Sequence, residues 1–138
     1  TMCYRETKDI RFLNLAENIF DFLFSHPNMP NDLVPYWDFN APKIPDEPRD
    51  ASAAAIIASA LYELSAFKDG GYKATADKIM MSLSSADYLA GLNENGNFVL
   101  KHSVGSIPHN NEIDVPLNYA DYYFLEALLR KMKIEKSN

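Results

Sequence analysis

Apolar residues recur at helical spacing in four stretches of the chain, separated by breaks that are alternately short and long. In the first stretch Leu13, Ala16, Phe20 and Leu23 share a face, while Arg11, Asn14, Asn18, Asp21 and Ser25 occupy the other side. That recurrence predicts an amphipathic helix whose phenylalanine-rich face packs in a core. Asp9 stands where a cap is needed, and His26-Pro27 ends the helix at about Ser25. Ahead of it, Thr1 to Glu6 reads as the end of another helix, with Thr7-Lys8 as a tight break.

The second stretch, from Ala51 to about Phe67, differs in kind. Only Ser52, Ser59, Glu63 and Ser65 interrupt its small and apolar residues, so it is expected to be buried on nearly every side. Asp50 is placed to cap it, and Asp69-Gly70-Gly71 is a strong stop after it, since glycine accepts the left-handed geometry of a helix end. A third helix is expected from about Tyr72, with Ala76, Ile79, Met80 and Leu83 on one face, and a short turn from Ser84-Ser85 through Tyr88-Leu89-Ala90. The last helix starts near Leu117 or Asn118 and ends about Lys133, with Leu125, Leu128, Leu129 and Met132 as its apolar face and Lys136-Ser137-Asn138 as a frayed tail.

The long breaks are of two kinds. From Pro35 to Asp50 the chain carries Trp37, Asp38 and three prolines, Pro42, Pro45 and Pro48, each of which pushes the preceding residue towards extended geometry. Such a loop, rich in aromatics and prolines, is expected to be ordered. Asn93 to Asn97 is a turn and Phe98-Val99-Leu100 a brief extended segment, after which Lys101 to Pro116 forms a second long loop. The fold class is therefore all-α, built of consecutive helical hairpins with the Ala51 helix on an inner layer. Periodicity alone is satisfied by a bundle or by a piece of an α/α toroid.

Composition narrows the function classes. Of 138 residues, 47% are hydrophobic and 23% charged, which describes an ordered globular chain. A formal net charge of −6 argues against a nucleic-acid surface, but leaves room for a small basic site that takes an acidic sugar. Cys3 is the single cysteine, which excludes an intrachain disulfide and a cysteine-based zinc set. No apolar run reaches membrane-spanning length, so no membrane partner is expected. No signal peptide is visible in these residues, and the compartment stays open between cytoplasm and periplasm.

PYWDFNAP followed by EPRDASAAAIIASALYEL closely resembles the C-terminal half of the unsaturated glucuronyl hydrolases, glycoside hydrolase family 88. TMCYRETKD, SLSSADYLA and KHSVGSIPHNNEIDVPLNYADYYFLEALLR fit the same family in the same order. Members are much longer, and the matching part is their last third or so. The resemblance implies an α/α toroid of six helical hairpins, of which residues 1–138 supply the last two or three, with the upstream part of the same enzyme as the partner covering their apolar faces. It implies a substrate ending in an unsaturated uronic acid, left on an oligosaccharide by a polysaccharide lyase. Members hydrate the C4–C5 double bond of that sugar, an aspartic acid donating the proton. The catalytic aspartates belong to segments before the matched part, so no catalytic residue is carried over, and neither a cofactor nor a metal is implied.

The residues that bear on binding lie in the two loops. Trp37 suits either a sugar site or packing against a helix, and Asp38 either an acid or a partner for Arg49 or for loop amides. Asp50 reads as a cap. In the second loop, family members acting on sulfated chondroitin-type disaccharides carry a Ser-x-x-Ser-x-Lys pattern that meets the sulfate. Here Ser106 matches its first position, and His109 and Asn111 stand where a second serine and the lysine would be. A metal set of His102, His109 and Glu112 is possible by residue type, but its spacing is not diagnostic. Two other functions fit the same residues: a noncatalytic carbohydrate-binding or helical interaction module on this scaffold, and an unsaturated rhamnogalacturonyl hydrolase. PYWDF and RDASAAA favour the glucuronyl type.

Overall fold

The computed structural model describes residues 1–137 and leaves the side chain of Ser137 aside. Five α-helices dominate these residues: α1 (Met2–Thr7), α2 (Ile10–Ser25), α3 (Ala51–Leu64), α4 (Tyr72–Leu83) and α5 (Asn118–Ser137). Their ends are chemically marked. Lys8 closes α1 in the left-handed conformation, with its N–H on the Tyr4 carbonyl. Asp9 caps α2 by accepting the Arg11 amide, and Asp50 caps α3 by accepting those of Ser52 and Ala53. Gly71, at φ 75°, supplies the left-handed turn into α4 that a side chain would resist.

The helices alternate between two layers. Arg5 of α1, Glu63 of α3 and Arg130 of α5 form a continuous ion-pair chain, with Arg–Glu distances of 2.7 Å on both sides of Glu63. Glu17 and Phe20 of α2 meet Tyr72 at the start of α4, by hydrogen bond and by edge-to-face ring contact. Thus α1, α3 and α5 make the inner layer, and α2 and α4 the outer one. The core fills the space between α3, α4 and α5: Ala54, Ala58, Leu61, Tyr62 and Leu64 of α3 are buried against Ala76, Ile79, Met80 and Leu83 of α4, against Leu117 just ahead of α5, and against Ala120, Phe124 and Ala127 of α5. Alanines facing one another let three helices approach closely, which is why a slim apolar α3 can be enclosed.

Three expectations need correction. The apolar face expected for α5 is wrong in three of its four residues: Leu128 packs against the core, but Leu125, Leu129 and Met132 are about half exposed, at 51%, 56% and 48%, and the buried residues are Ala120, Phe124 and Ala127, with Leu117 just ahead of the helix. The helix also runs on to Ser137 instead of fraying beyond Lys133, while Asn138 lies outside the described residues. Finally, Lys101 to Pro116 is not an irregular loop. It holds an antiparallel hairpin of β1 (Ser103–Ser106) and β2 (Asn111–Val115), joined by a short 3-10 turn at Ile107–His109.

The phenylalanine-rich face expected of α2 packs only in part. Leu13 is its one fully buried residue; Phe20 and Phe24 lean on the core, while Phe12, Leu15, Ile19 and Phe22 are exposed. An apolar groove of about 220 Å³ runs between α2 and α3, lined by Phe12, Leu15 and Ile19, by Ile57, and by Cys3 of α1.

Candidate functional site

Short turns join inner helices to outer ones, and the two long connections, α2 to α3 and α4 to α5, return to the inner layer. Both long connections therefore arrive at the same end, beside the N-terminus of α3. Backbone bonds fasten them there. The Ala51 amide donates to the His102 carbonyl at 2.9 Å, and the Asp50 amide to the Pro35 carbonyl at 2.8 Å. Asp50 Oδ1 accepts the Ser52 hydroxyl and the Ser52, Ala53 and Val104 amides, so the cap of α3 also holds β1.

In the first connection Asp38 does not meet Arg49. It is exposed and accepts the Asn40 amide at 2.7 Å, the loop-amide role. Arg49 instead pairs with Asp32, donates through Nε to the Val34 carbonyl at 2.8 Å, and lies 5.0 Å over the Tyr36 ring. Tyr88 completes this knot by donating its hydroxyl to Asp32 at 3.0 Å. Burial raises the Tyr88 phenol above its ordinary value, against the pull of Arg49, so it remains a donor. Trp37 is half-buried, and its indole N–H donates to Glu47 at 2.9 Å.

The hairpin brings Ser106, His109 and Asn111 together. Ser106 pairs in register with Asn111, and its Oγ lies 2.7 Å from His109 Nδ1. His109 and Asn111 are exposed and Ser106 is half-buried. Trp37 is not part of this cluster. At the base of the hairpin the register shifts between Ser103 and Val104, leaving Asp114 as the extra residue, with φ 55°. Such a bulge re-aims a side chain, and here it turns the Asp114 carboxylate onto His102 Nδ1 at 2.6 Å. The metal set considered for His102, His109 and Glu112 is not assembled. His102 bonds Asp114, His109 bonds Ser106, and Glu112 folds over Gly105, its carboxylate filling the space a Cβ there would need.

Between the first loop and the hairpin base lies an open cleft of about 630 Å³, bounded by Glu47, Arg49, Tyr88, Lys101, His102 and Asp114. Trp37 reaches it only through Glu47. Its cations are engaged, Arg49 as described and Lys101 on the Ala86 carbonyl at 2.6 Å. The cleft therefore offers hydroxyl, imidazole and carboxylate groups, a set that suits sugar hydroxyls better than a sulfate. Neither the His102–Asp114 pair nor the Asp32–Arg49–Tyr88 knot was identified from sequence. The first depends on a bulge, and the second joins Tyr88 to a residue 56 positions away.

No family model matches the chain. It is 50% identical over 135 residues to an unsaturated glucuronyl hydrolase of Formosa agariphila, a match that spans 97% of this chain and 34% of that protein. The crystal structure of an unsaturated glucuronyl hydrolase specific for heparin superposes with a TM-score of 0.95 at 52% identity, over 98% of this chain and 37% of that one. An unsaturated glucuronyl hydrolase variant from Streptococcus agalactiae, complexed with dGlcA-GalNAc6S, gives a TM-score of 0.82 at 27% identity, over 94% of this chain and 35% of that one. The helical hairpins described above are thus those of the α/α-toroid hydrolases, and the chain spans about a third of the length of the relatives it matches.

Proposed function

We propose, from the premise that this chain belongs to the unsaturated glucuronyl hydrolase family, that residues 1–138 are the C-terminal part of a single α/α-toroid catalytic domain. The enzyme removes the terminal unsaturated uronic acid from lyase-derived glycosaminoglycan oligosaccharides by hydrating the C4–C5 double bond. The hemiketal that results rearranges and releases the glycosidic bond. The acid that protonates the alkene lies in the upstream part of the enzyme. This chain supplies binding groups: Ser106, His109 and Asn111 at the hairpin tip, and Trp37 as the wall behind Glu47. Because the 52% identical structure is of an enzyme specific for heparin, heparin-type disaccharides come first among the substrates and chondroitin-type second.

The observation that carries this reading is the agreement over almost the whole chain with enzymes about three times its length. The exposed apolar faces of α2 and α5 support it further, since large apolar patches mark surfaces that meet other polypeptide. The upstream part of the same enzyme is the partner that fits them. Asp38 is not assigned to the chemistry, because it is exposed and tied to its own loop.

The test follows loss of the alkene's ultraviolet absorbance on unsaturated disaccharides. Residues 1–138 alone are expected to show no turnover, and the chain extended upstream to show it. Robust turnover by residues 1–138 alone would return catalysis to this chain and make Asp38 the first suspect. In the extended enzyme Ser106→Ala is expected to raise KM and leave kcat nearly intact, as for a group that binds without reacting.

A further inference from the structure

We infer that the cleft between the first loop and the hairpin base is an outer saccharide subsite. It takes an uncharged hexosamine one disaccharide repeat beyond the sugar at the hairpin tip, and so gives the enzyme a preference for longer chains. This rests on the reading of the chain as part of an enzyme acting on glycosaminoglycan oligosaccharides, and adds a second contact to it.

Size and position fit. The cleft holds about 630 Å³, within the range of sites that take small molecules. It opens at the end of the molecule that carries the hairpin, because both long connections arrive beside the N-terminus of α3. The strand from Ser103 to Ser106 rises about 3.4 Å per residue, which separates the base of the hairpin from its tip by about 10 Å. One pyranose does not span that distance, whereas a disaccharide repeat does.

The walls select the chemistry. Asp114 Oδ1 meets His102 Nδ1 at 2.6 Å, which leaves His102 Nε2 and Asp114 Oδ2 as neighbouring hydrogen-bonding atoms at the cleft. A carboxylate oxygen only accepts, and the ring nitrogen beside it suits a second hydroxyl, which donates or accepts as required. This pair is held before any ligand arrives. The Tyr88 and His102 rings meet edge to face with centroids 6.2 Å apart, and the Lys101 amide donates to the Tyr88 carbonyl at 2.8 Å. Groups fixed in this way lose little freedom on binding.

Other ligand classes fit worse. Asp46, Glu47, Asp87 and Asp114 outnumber Arg49 and Lys101 in the walls. Those two cations are turned to Asp32 and to the Ala86 carbonyl, so a sulfate or a uronate meets repulsion. Among the described residues no three His, Cys, Asp or Glu side chains converge as a metal site requires. An apolar ligand would strip water from the carboxylates and replace none of its hydrogen bonds. What remains is an uncharged sugar rich in hydroxyls. In a chain that alternates uronate and hexosamine, that is the hexosamine of the next repeat, which the spacing also selects.

The experiment compares kcat/KM of the upstream-extended enzyme on an unsulfated unsaturated disaccharide and on the tetrasaccharide of the same repeat. Each is cleaved once, since the product of the tetrasaccharide has no unsaturated end. The tetrasaccharide is expected to be preferred about tenfold, the usual worth of one charge-assisted contact. His102 and Asp114 have left-handed φ of 61° and 55°, which asparagine tolerates, so Asp114→Asn and His102→Asn keep the backbone of the bulge. Each should bring the tetrasaccharide-to-disaccharide ratio down towards one. Loss of stability alone lowers both values and keeps the ratio. A preference that persists in both variants therefore overturns the subsite and leaves the proposed function standing. Equal values for the two substrates in the unmodified enzyme overturn it as well. If neither substrate is turned over, the proposed function fails, and the subsite fails with it.

Discussion

Helices α2 and α3 both carry apolar residues around much of their circumference, yet α3 buries nine residues and α2 one. The difference lies in side-chain size. Ala51, Ala54, Ala55 and Ala58 keep α3 narrow, so that α4 and α5 close around it. Helix α2 presents Phe12, Leu15, Ile19 and Phe22, which stand out from the surface and need a complementary wall to be covered. An apolar stripe therefore says that a helix has a place to pack, and size says how much partner it requires. Here α3 finds its partners within the described residues, whereas α2 has a face left over.

Truncation in the core should separate the two helices most sharply. Leu64 is 2% exposed, and Leu64→Ala is expected to cost about 2–5 kcal/mol, from lost transfer energy and the cavity left behind. Phe22→Ala, at an exposed position, should change stability by no more than about 0.5 kcal/mol. Denaturant unfolding of the two variants checks this, and equal losses would break the comparison. Repeating it on the upstream-extended chain sharpens it, since Phe22→Ala should cost more once that face is covered.

Acid should act next, on the outer contact between α4 and its inner neighbours. Burial works against the charged form of Asp77, but donors from Lys73, Lys131 and Tyr62 outweigh it and hold this carboxyl at about 2, below its ordinary 3.8. A depressed carboxyl stabilises the fold above the unfolded value and loses that contribution as pH falls through the folded one. Stability is therefore expected to drop between about pH 4 and 2, by about 1–2 kcal/mol for this partly exposed group. Asp77→Asn should be less stable at neutral pH and flatter across that window. An unaltered acid limb in Asp77→Asn would remove Asp77 from the account.

The smallest effects contrast two carboxylates of one loop. Asp50→Ala is expected to cost about 1 kcal/mol, the usual loss of a helix cap, whereas exposed Asp38→Asn should cost no more than about 0.5 kcal/mol. Thermal unfolding of both variants checks the order. A larger loss for Asp38 would mean that its loop amide matters more than the end of α3.

Much of this architecture was legible because local chemistry sets it. Asp9, Asp50 and His26-Pro27 mark helix ends where they were expected, and Ala76, Ile79, Met80 and Leu83 form the face of α4, whereas α3 stops at Leu64, short of Phe67, and Gly71 opens α4 instead of closing α3. The apolar face of α5 was misread because two stripes run along it at helical spacing, and periodicity carries no sign that tells inside from outside. The aliphatic stripe looked like the core, but the packed stripe is the one with Ala120 and Ala127, where close neighbours fit. The hairpin stayed hidden because β1 is Ser-Val-Gly-Ser, and β2 holds Glu112 and Asp114 at left-handed φ of 53° and 55°. Neither strand alternates apolar and polar residues in the way that signals a sheet. At the candidate site, Ser106, His109 and Asn111 were found through family resemblance, and their neighbourhood at the tip comes from the turn between them. Trp37 was named with them but belongs to the other loop, against Glu47. Arg49 was offered Asp38 as a partner because the two share a loop, yet it takes Asp32, beyond the span in which sequence distance guides a guess.

The cap of α3 has a consequence in time as well as in space. Asp50 Oδ1 accepts amides from Ser52 and Ala53 in the first turn of the helix and from Val104 in the hairpin. When that carboxylate lets go, all three amides lose an acceptor in the same event, although a long stretch of chain separates the helix from the hairpin. The first turn of α3 and the root of the hairpin therefore breathe together, and solvent reaches their amide protons in step. A ligand that quiets the hairpin would slow exchange at the helix start without touching it.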